Sequence, residues 1–398
     1  MELNVVALLQ DLVATPSVNP MGRGLEGPEF LEYRMTDLLE SHFKSLGLQH
    51  ARQSIAVKRD NILVRLDGEV PLDAGGQILL LEAHQDTVPV DGMTVAPWTP
   101  EVRDGRVYGR GACDIKGGMA AMLAALARLA ADKPAEMPTI VLACTVNEEH
   151  GYTGATALVD LWQSGESPIL PRRPDAVIVA EPTDLRVVVA HKGAVRWRCV
   201  TRGRAVHSSQ PDEGENAIYM MSRVIAVLED YHQRQAPLVG GHPLCGRATL
   251  SVGTIAGGIS VNTVPDECVI EVDRRLLPGE NPLEAYQAVI DFVANDPRID
   301  FEVHHRPPYL VGWPLSDQAN GGLAESLRTV ARETCGRGDI VGVAYGTDAA
   351  TYAAAGVPAV VFGPGSISQA HTKDEWVLVE ELESAAEIIY QFACARPL

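Results

Sequence analysis

Basic residues are scarce in this 398-residue chain, whose 33 lysines and arginines face 52 aspartates and glutamates. The formal net charge of −19 argues against binding to nucleic acid, because non-specific affinity comes from Lys and Arg side chains that neutralise phosphates. The sequence also has no apolar run near the ~20 residues that a membrane-spanning helix needs. We therefore expect neither nucleic acid nor a membrane as a partner.

Closely spaced cysteines are missing as well. The seven cysteines are odd in number and scattered, without a CxxC pair, which is typical of reduced thiols rather than a disulfide framework. The first residues lack the basic and apolar stretches of a secretory signal, so a cytoplasmic location is expected. A hydrophobic content of 46% is ordinary for a globular protein.

Apolar strands alternate with helical patterns at the beginning and the end of the sequence. Apolar runs at 78–83 and 139–146 flank an Ala- and Leu-rich helix at 118–131. Near-continuous apolar strands separated by helices predict an α/β fold, with a mostly parallel, mixed sheet sandwiched by helices.

The pattern differs in the middle of the chain, where about four strands accompany two helices. This composition predicts a small two-layer α+β unit inserted into the α/β domain. The predicted catalytic domain comprises residues 1–186 and 308–398, and the inserted domain comprises residues 187–307.

Acidic and histidine side chains closely follow three of the predicted strands, and a fourth predicted strand at 359–362 leads through a Gly-Pro-Gly segment (363–365) towards another histidine. These residues are His84 and Asp86, Glu148 and Glu149, Glu181, and His371. Asp114 lies in a Gly-rich turn just before the helix at 118–131. Because ligands of open α/β sheets bind beyond the carboxyl ends of the strands, these side chains are expected to converge in one crevice.

Converging carboxylates repel one another unless cations are present, and mixed His, Asp and Glu ligands suit zinc, with cobalt or manganese as substitutes. The set is too large for one tetrahedral ion but suits two ions about 3.5–4 Å apart that share a carboxylate. Of the adjacent Glu148 and Glu149, one can bind metal. The other can take a proton from water and pass it to a leaving nitrogen.

Several segments resemble the di-zinc deacylase and exopeptidase family, which includes acetylornithine deacetylase, succinyl-diaminopimelate desuccinylase, aminoacylase and glutamate carboxypeptidase. The segments are AHQDTVP (83–89), GRGACDIKGG (109–118), EE (148–149), EPT (181–183) and AHTKDE (370–375). They occur in the family's order over nearly the whole chain. The resemblance implies two Zn²⁺ ions per subunit, with the ligands His84 and Glu181 for one, Glu149 and His371 for the other, and Asp114 as the bridge.

The resemblance also implies roles for other residues. Glu148 is expected to be the general base, and Asp86 the carboxylate that orients His84. A cis peptide bond is expected after Asp114. His207, in the segment AVHSS (205–209), resembles the lid histidine that polarises the scissile carbonyl across a homodimer formed by the inserted domain.

The residues expected to bind substrate by this resemblance are Asn262, Arg275, Gly346 and Thr347. Asp273 and Arg275 fall on the same face of a predicted strand, so an ion pair between them is an alternative role for this arginine.

The sequence thus predicts a zinc-dependent hydrolase that cleaves the amide bond of N-acyl amino acids, as acetylornithine deacetylase does in arginine biosynthesis. A desuccinylase or a glutamate carboxypeptidase-like enzyme acting on short peptides is the alternative. A non-catalytic metal-binding scaffold is an alternative of another class, although no ligand and no base is missing from the sequence.

Overall fold

In the computed structural model, the described residues are 4–235, 238 and 240–395. They divide into two compact units. The first consists of the described residues of Met1–Val189, Ser316–Gly342 and Thr347–Leu398, and the second of those of Ala190–Leu315 and Val343–Gly346.

The helices are α1 (Val5–Val13), α2 (Tyr33–Ser45), α3 (Lys116–Asp132), α4 (Glu148–Gly151), α5 (Thr153–Ser164), α6 (Ala217–Asp230), α7 (Pro282–Ala294), α8 (Gly321–Cys335), α9 (Ala349–Ala354) and α10 (Val379–Cys394). The strands are β1 (Gln49–Ala56), β2 (Arg59–Leu66), β3 (Ile78–His84), β4 (Glu101–Arg103), β5 (Arg106–Tyr108), β6 (Thr139–Thr145), β7 (Ala176–Val179), β8 (Val187–His191), β9 (Gly193–Arg202), β10 (Gly241–His242), β11 (Gly246–Arg247), β12 (Thr249–Gly257), β13 (Glu267–Leu276), β14 (Val303–His305), β15 (Leu310–Gly312), β16 (Ile340–Val343), β17 (Ala359–Val361) and β18 (Trp376–Leu378).

The central sheet has eight strands in the order β1-β2-β6-β3-β7-β17-β8-β16. Its middle strands β6, β3, β7 and β17 are parallel neighbours, whereas β1, β2 and β8 pair antiparallel. Every residue of β3 and β6 is buried, as expected for strands covered on both faces. The α/β fold with a mostly parallel sheet is therefore confirmed.

Helices pack against this sheet, and against one another, through their apolar faces. Helix α3 packs on β3 and β6, and α1 and α10 pack on α3. Helices α2 and α5 contact β2, and α9 contacts β7 and β17. A separate sheet has three strands in the order β18-β5-β4, and α10 begins directly after β18.

The second unit has its own sheet, in the order β12-β13-β9-β14, with β15 also paired to β9. Helix α6 packs on β12, β13 and β9, and α7 packs on β9 and β13. One layer of helices on one sheet is an α+β architecture. In this sheet β12 is an edge strand.

Across the described residues of both units, no helix combines the length and the apolar character needed to cross a membrane.

Candidate metal centre

The parallel register brings the ends of three strands together. His84, the last residue of β3, lies opposite Thr145, the last residue of β6, and β7 pairs with β3 on its other side. The chain leaves these strands at the same edge of the sheet, which is where ligands of α/β proteins bind. The predicted convergence of His84 with the residues that follow β6 and β7 thus has a simple cause in the sheet topology.

The first group of candidate ligands consists of His84, Asp114 and Glu181. Nε2 of His84 is 3.3 Å from Oδ1 of Asp114 and 4.0 Å from Oε1 of Glu181. All three residues are buried. The Nδ1 atom of His84 is 2.9 Å from the backbone carbonyl oxygen of Asp86, which leaves Nε2 directed towards the two carboxylates.

The second group consists of Asp114, Glu149 and His371. Nε2 of His371 is 3.3 Å from Oδ2 of Asp114 and 3.2 Å from Oε2 of Glu149. Asp114 belongs to both groups and presents a different oxygen to each histidine, as a bridging carboxylate must. In each group, one ligand atom per residue lies within 4.8 Å of the others.

Two buried atoms of this site fit a bound cation. Nε2 of His84 and Oε1 of Glu149 are buried without a hydrogen-bond partner among the described residues. Buried polar atoms usually have partners, so an unsatisfied imidazole nitrogen and carboxylate oxygen facing the same cluster suit metal coordination. The donor set of imidazole nitrogens and carboxylate oxygens suits zinc or another divalent first-row ion.

The electrostatics of the cluster favour positive charge. Burial alone would raise the pKa of the Asp114 carboxyl, but His371 and His84 lower it. Contacts with Asp114 and Glu149 raise the pKa of His371 to about 10. Burial raises the pKa of Glu181, and the neighbouring charge of Asp114 raises it further. Carboxylates that hold a proton on a histidine so firmly also attract a divalent cation.

The turn after β6 separates the two adjacent glutamates. Asn147 has a left-handed φ of 63°, a conformation that asparagine tolerates better than most residues, and helix α4 begins directly after it. Glu149 reaches His371, whereas none of the described residues donates a hydrogen bond to the Glu148 carboxylate. Burial raises the pKa of Glu148 well above its ordinary value. A half-buried carboxylate that accepts no hydrogen bond from a described residue is suited to accept a proton.

Asp86 contacts the site differently from what the resemblance implies. Its carboxylate oxygen Oδ1 is 3.7 Å from Nδ1 of His84, too far for a hydrogen bond, and its backbone carbonyl makes the contact instead. The carboxylate accepts hydrogen bonds from the backbone N–H groups of Glu148 (3.1 Å) and Glu149 (3.2 Å). Asp86 therefore holds both glutamates as well as the histidine.

Asn19, which the sequence does not single out, also belongs to the site: its side-chain amide donates to Asp86 (2.8 Å) and to Asn147 (2.9 Å). It thereby ties the turn before Glu148 to the segment after His84. Nothing in the local sequence around Asn19 signals this contact. The peptide bond between Asp114 and Ile115 is cis, as the resemblance implies.

The other expected site residues belong mainly to the second unit. Ser208 N–H donates to the backbone oxygen of Asn262 at 3.0 Å, so the segments of His207 and Asn262 are neighbours. His207 is exposed, and its Nδ1 accepts a hydrogen bond from Ser209 N–H at 3.2 Å. Gly346 is the last residue of the second unit, and Thr347, which is buried, resumes the first.

Arg275 forms the ion pair that its strand position suggests. Its Nε lies 2.8 Å from Asp273, which also pairs with Arg196 at 2.8 Å. The neighbouring Arg274 is fully buried and pairs with Glu280. The side chain of Arg275 is about one-third exposed, so a solute can reach it, unlike the side chain of Arg274.

A mostly parallel α/β sheet with such groups at its strand ends has the architecture of a metal-dependent hydrolase. The chain belongs to Peptidase family M20/M25/M40, whose model matches residues 80–395. An acetylornithine deacetylase from Myxococcus xanthus is 32% identical over 364 residues, which cover 87% of this chain and 88% of that protein. The chain is therefore a hydrolase of a metal-dependent family.

Solved structures show the same fold. A metallo-carboxypeptidase of the M20 family from Sulfolobus solfataricus, Sso-CP2, has a TM-score of 0.77 at 18% identity, covering 98% of this chain and 99% of that chain. A dinuclear metal-binding M20 peptidase from Bacillus subtilis has a TM-score of 0.64 at 17% identity, covering 98% of this chain and 96% of that chain.

Proposed function

We propose that this protein hydrolyses the amide bond of N-acyl amino acids, in the manner of acetylornithine deacetylase, with two zinc ions per subunit. The observation that carries this proposal is the pair of His/carboxylate groups that share Asp114. Beside them lies the Glu148 carboxylate, to which no described residue donates a hydrogen bond. The curated relative at 32% identity supports a deacetylase rather than a peptidase. Cobalt or manganese can replace zinc in such a donor set.

The residues divide the chemistry between them. His84 and Glu181 would hold one ion, Glu149 and His371 the other, and Asp114 both. Bound there, two divalent ions would polarise the carbonyl and lower the pKa of water. Glu148 would accept the proton of the attacking water and then deliver it to the leaving amine. Asp86 would keep Glu148 and Glu149 in place through their backbone N–H groups.

His207 is proposed to stabilise the developing oxyanion. Because its Nδ1 accepts from Ser209 N–H, the neutral ring carries its proton on Nε2, which can donate to an oxygen atom. The segment of Asn262 lies beside it. Arg275 is proposed to bind the substrate carboxylate, with Asp273 holding its guanidinium in place. Gly346 and Thr347 are proposed to bind the amino-acid end of the substrate.

We further propose that residues 187–307 form a lid and dimerisation domain within a catalytic domain of residues 1–186 and 308–398. Support for a homodimer comes from the edge strand β12, where Ile255 is 56% exposed, and from the exposed side chains of Tyr219, Ile259 and Val261. Unpaired strand edges with apolar side chains are sites of association.

A cytoplasmic location and a role in arginine biosynthesis are parts of the same proposal. The described cysteines form no disulfide bond with one another, which suits a reducing compartment.

The proposal is tested by comparing N-acetylornithine, N-succinyl-diaminopimelate and N-acylglutamate as substrates of the zinc-loaded and the cobalt-loaded enzyme. We expect the highest kcat/KM for N-acetylornithine or another N-acetyl amino acid. A preference for N-succinyl-diaminopimelate would favour a desuccinylase instead, and a preference for N-acylglutamate would favour a carboxypeptidase-like enzyme. No turnover of any of these by the metal-loaded enzyme would contradict the proposal.

A further inference from the structure

Glu375 is a fully buried acid four residues after His371, and the function proposed above gives it no role. Its carboxylate accepts four hydrogen bonds. Oε1 accepts from the backbone N–H groups of Cys113 (2.9 Å) and Asp114 (3.0 Å). Oε2 accepts from the backbone N–H of Gly111 (3.0 Å) and from Nη1 of Arg110 (2.5 Å).

These four donors all belong to residues 110–114, the Gly-rich turn that carries Asp114. The backbone carbonyl of Glu375 also accepts from Gly109 N–H at 3.1 Å. Arg110 extends the connection, since its Nη2 donates to the carbonyl oxygens of Pro89 (3.1 Å) and Thr372 (3.3 Å). One carboxylate thus joins the turn of Asp114 to the segment of His371.

The turn needs such an acceptor because it forms neither helix nor strand. The N–H groups of Gly111, Cys113 and Asp114 have no strand or helix partner, and buried N–H groups without acceptors are costly. A neutral amide could accept only part of these hydrogen bonds and would direct its own NH₂ at other donors. The charge of the buried carboxylate is compensated by Arg110, so the arrangement is specific for an ionised acid.

We propose that Glu375 is a positioning residue that fixes the Asp114 carboxylate between His84 and His371 and thereby sets the affinity of both metal sites. The two Asp114 oxygens each lie 3.3 Å from a histidine, so a small rotation of the turn would move both away from their partners. This inference rests on the ligands assigned in the proposed function. Residues that hold metal ligands typically change metal affinity roughly 10- to 100-fold when they are mutated.

The test is zinc titration of the metal-free protein by calorimetry, combined with the absorption spectrum of the cobalt-loaded form. We expect Glu375→Gln to raise both zinc dissociation constants roughly 10- to 100-fold and to alter the cobalt spectrum. The matched control is Glu280→Gln, which removes the partner of buried Arg274 in the second unit and should leave zinc affinity and spectrum unchanged. Asp374→Asn, at the exposed neighbouring residue, should also leave them unchanged.

Glu375→Asp keeps the charge but shortens the side chain, and an intermediate loss of affinity is expected. If Glu375→Gln does not fold, the zinc affinity and the cobalt spectrum of Glu375→Asp provide the test instead. Wild-type zinc affinity and an unchanged cobalt spectrum in the folded variant would overturn the proposal, as would an equal effect of Glu280→Gln. Fewer than two zinc ions in the wild-type protein would instead overturn the ligand assignment on which the proposal rests.

Discussion

At the scale of single residues, Glu148 and Glu149 are adjacent in the sequence but differ in their surroundings. Glu149 contacts His371, and Glu148 has no donor among the described residues. We predict that Glu148→Gln binds two metal ions but lowers kcat roughly 100- to 10,000-fold, because an amide cannot accept the proton. Metal content and turnover, measured on the same sample, check this. As a control, Glu149→Gln should lose one ion, and near-normal turnover of Glu148→Gln would show that another residue is the base.

The sequence predicts which residues meet at the site, but not all of their contacts. The strand-end positions of His84, Glu149 and Glu181 follow from apolar runs that end just before them. The contacts of Asp86 and Glu375 depend instead on loop geometry, because their carboxylates accept from backbone N–H groups whose directions no periodicity encodes.

At the scale of elements, the sequence indicates the buried strands and the long helices but misses strands with mixed polarity. The runs at 78–83 and 139–146 correspond to β3 and β6 within a residue. In contrast, β1 is partly exposed along its whole length, and β4 and β18 have three residues each, too few for a pattern to appear. Such strands form because a neighbouring strand offers hydrogen bonds, and their own sequence carries little signal.

A glycine at the start of α3 illustrates how an element positions the site. A Cβ atom on Gly117 would lie 2.5 Å from the backbone oxygen of Ala112, in the turn that carries Asp114. We predict that Gly117→Ala lowers the free energy of unfolding by about 1–3 kcal/mol through this clash and weakens metal binding. The measurements are denaturant unfolding and zinc titration.

Gly322 provides the matched control, since it also occupies the second position of a helix, α8, and a Cβ atom there would meet nothing within 4 Å. Gly322→Ala should leave metal binding unchanged and stabilise the protein by up to about 1 kcal/mol. Equal behaviour of the two variants would mean that the close approach at Gly117 has no effect on the site.

At the scale of the whole molecule, the proposed homodimer places β12 and the exposed apolar residues of the second unit in an interface. We predict that Ile255→Glu dissociates the dimer, because it puts a charge on an edge strand that is otherwise able to pair. Sedimentation at several protein concentrations measures this. Val57→Glu, at an 85% exposed residue of the first unit, is the control and should leave the mass unchanged. A monomeric wild-type protein at every concentration would refute the homodimer.

Zinc titration of the metal-free protein and of its ligand variants measures whether two metal ions share Asp114. We expect two ions for the wild type and one each for Glu181→Gln and Glu149→Gln. We also expect Asp114→Asn to weaken both sites, because this residue belongs to both groups. A single ion in the wild type, or an Asp114→Asn variant that still binds two ions with unchanged affinity, would show that two ions do not share this carboxylate.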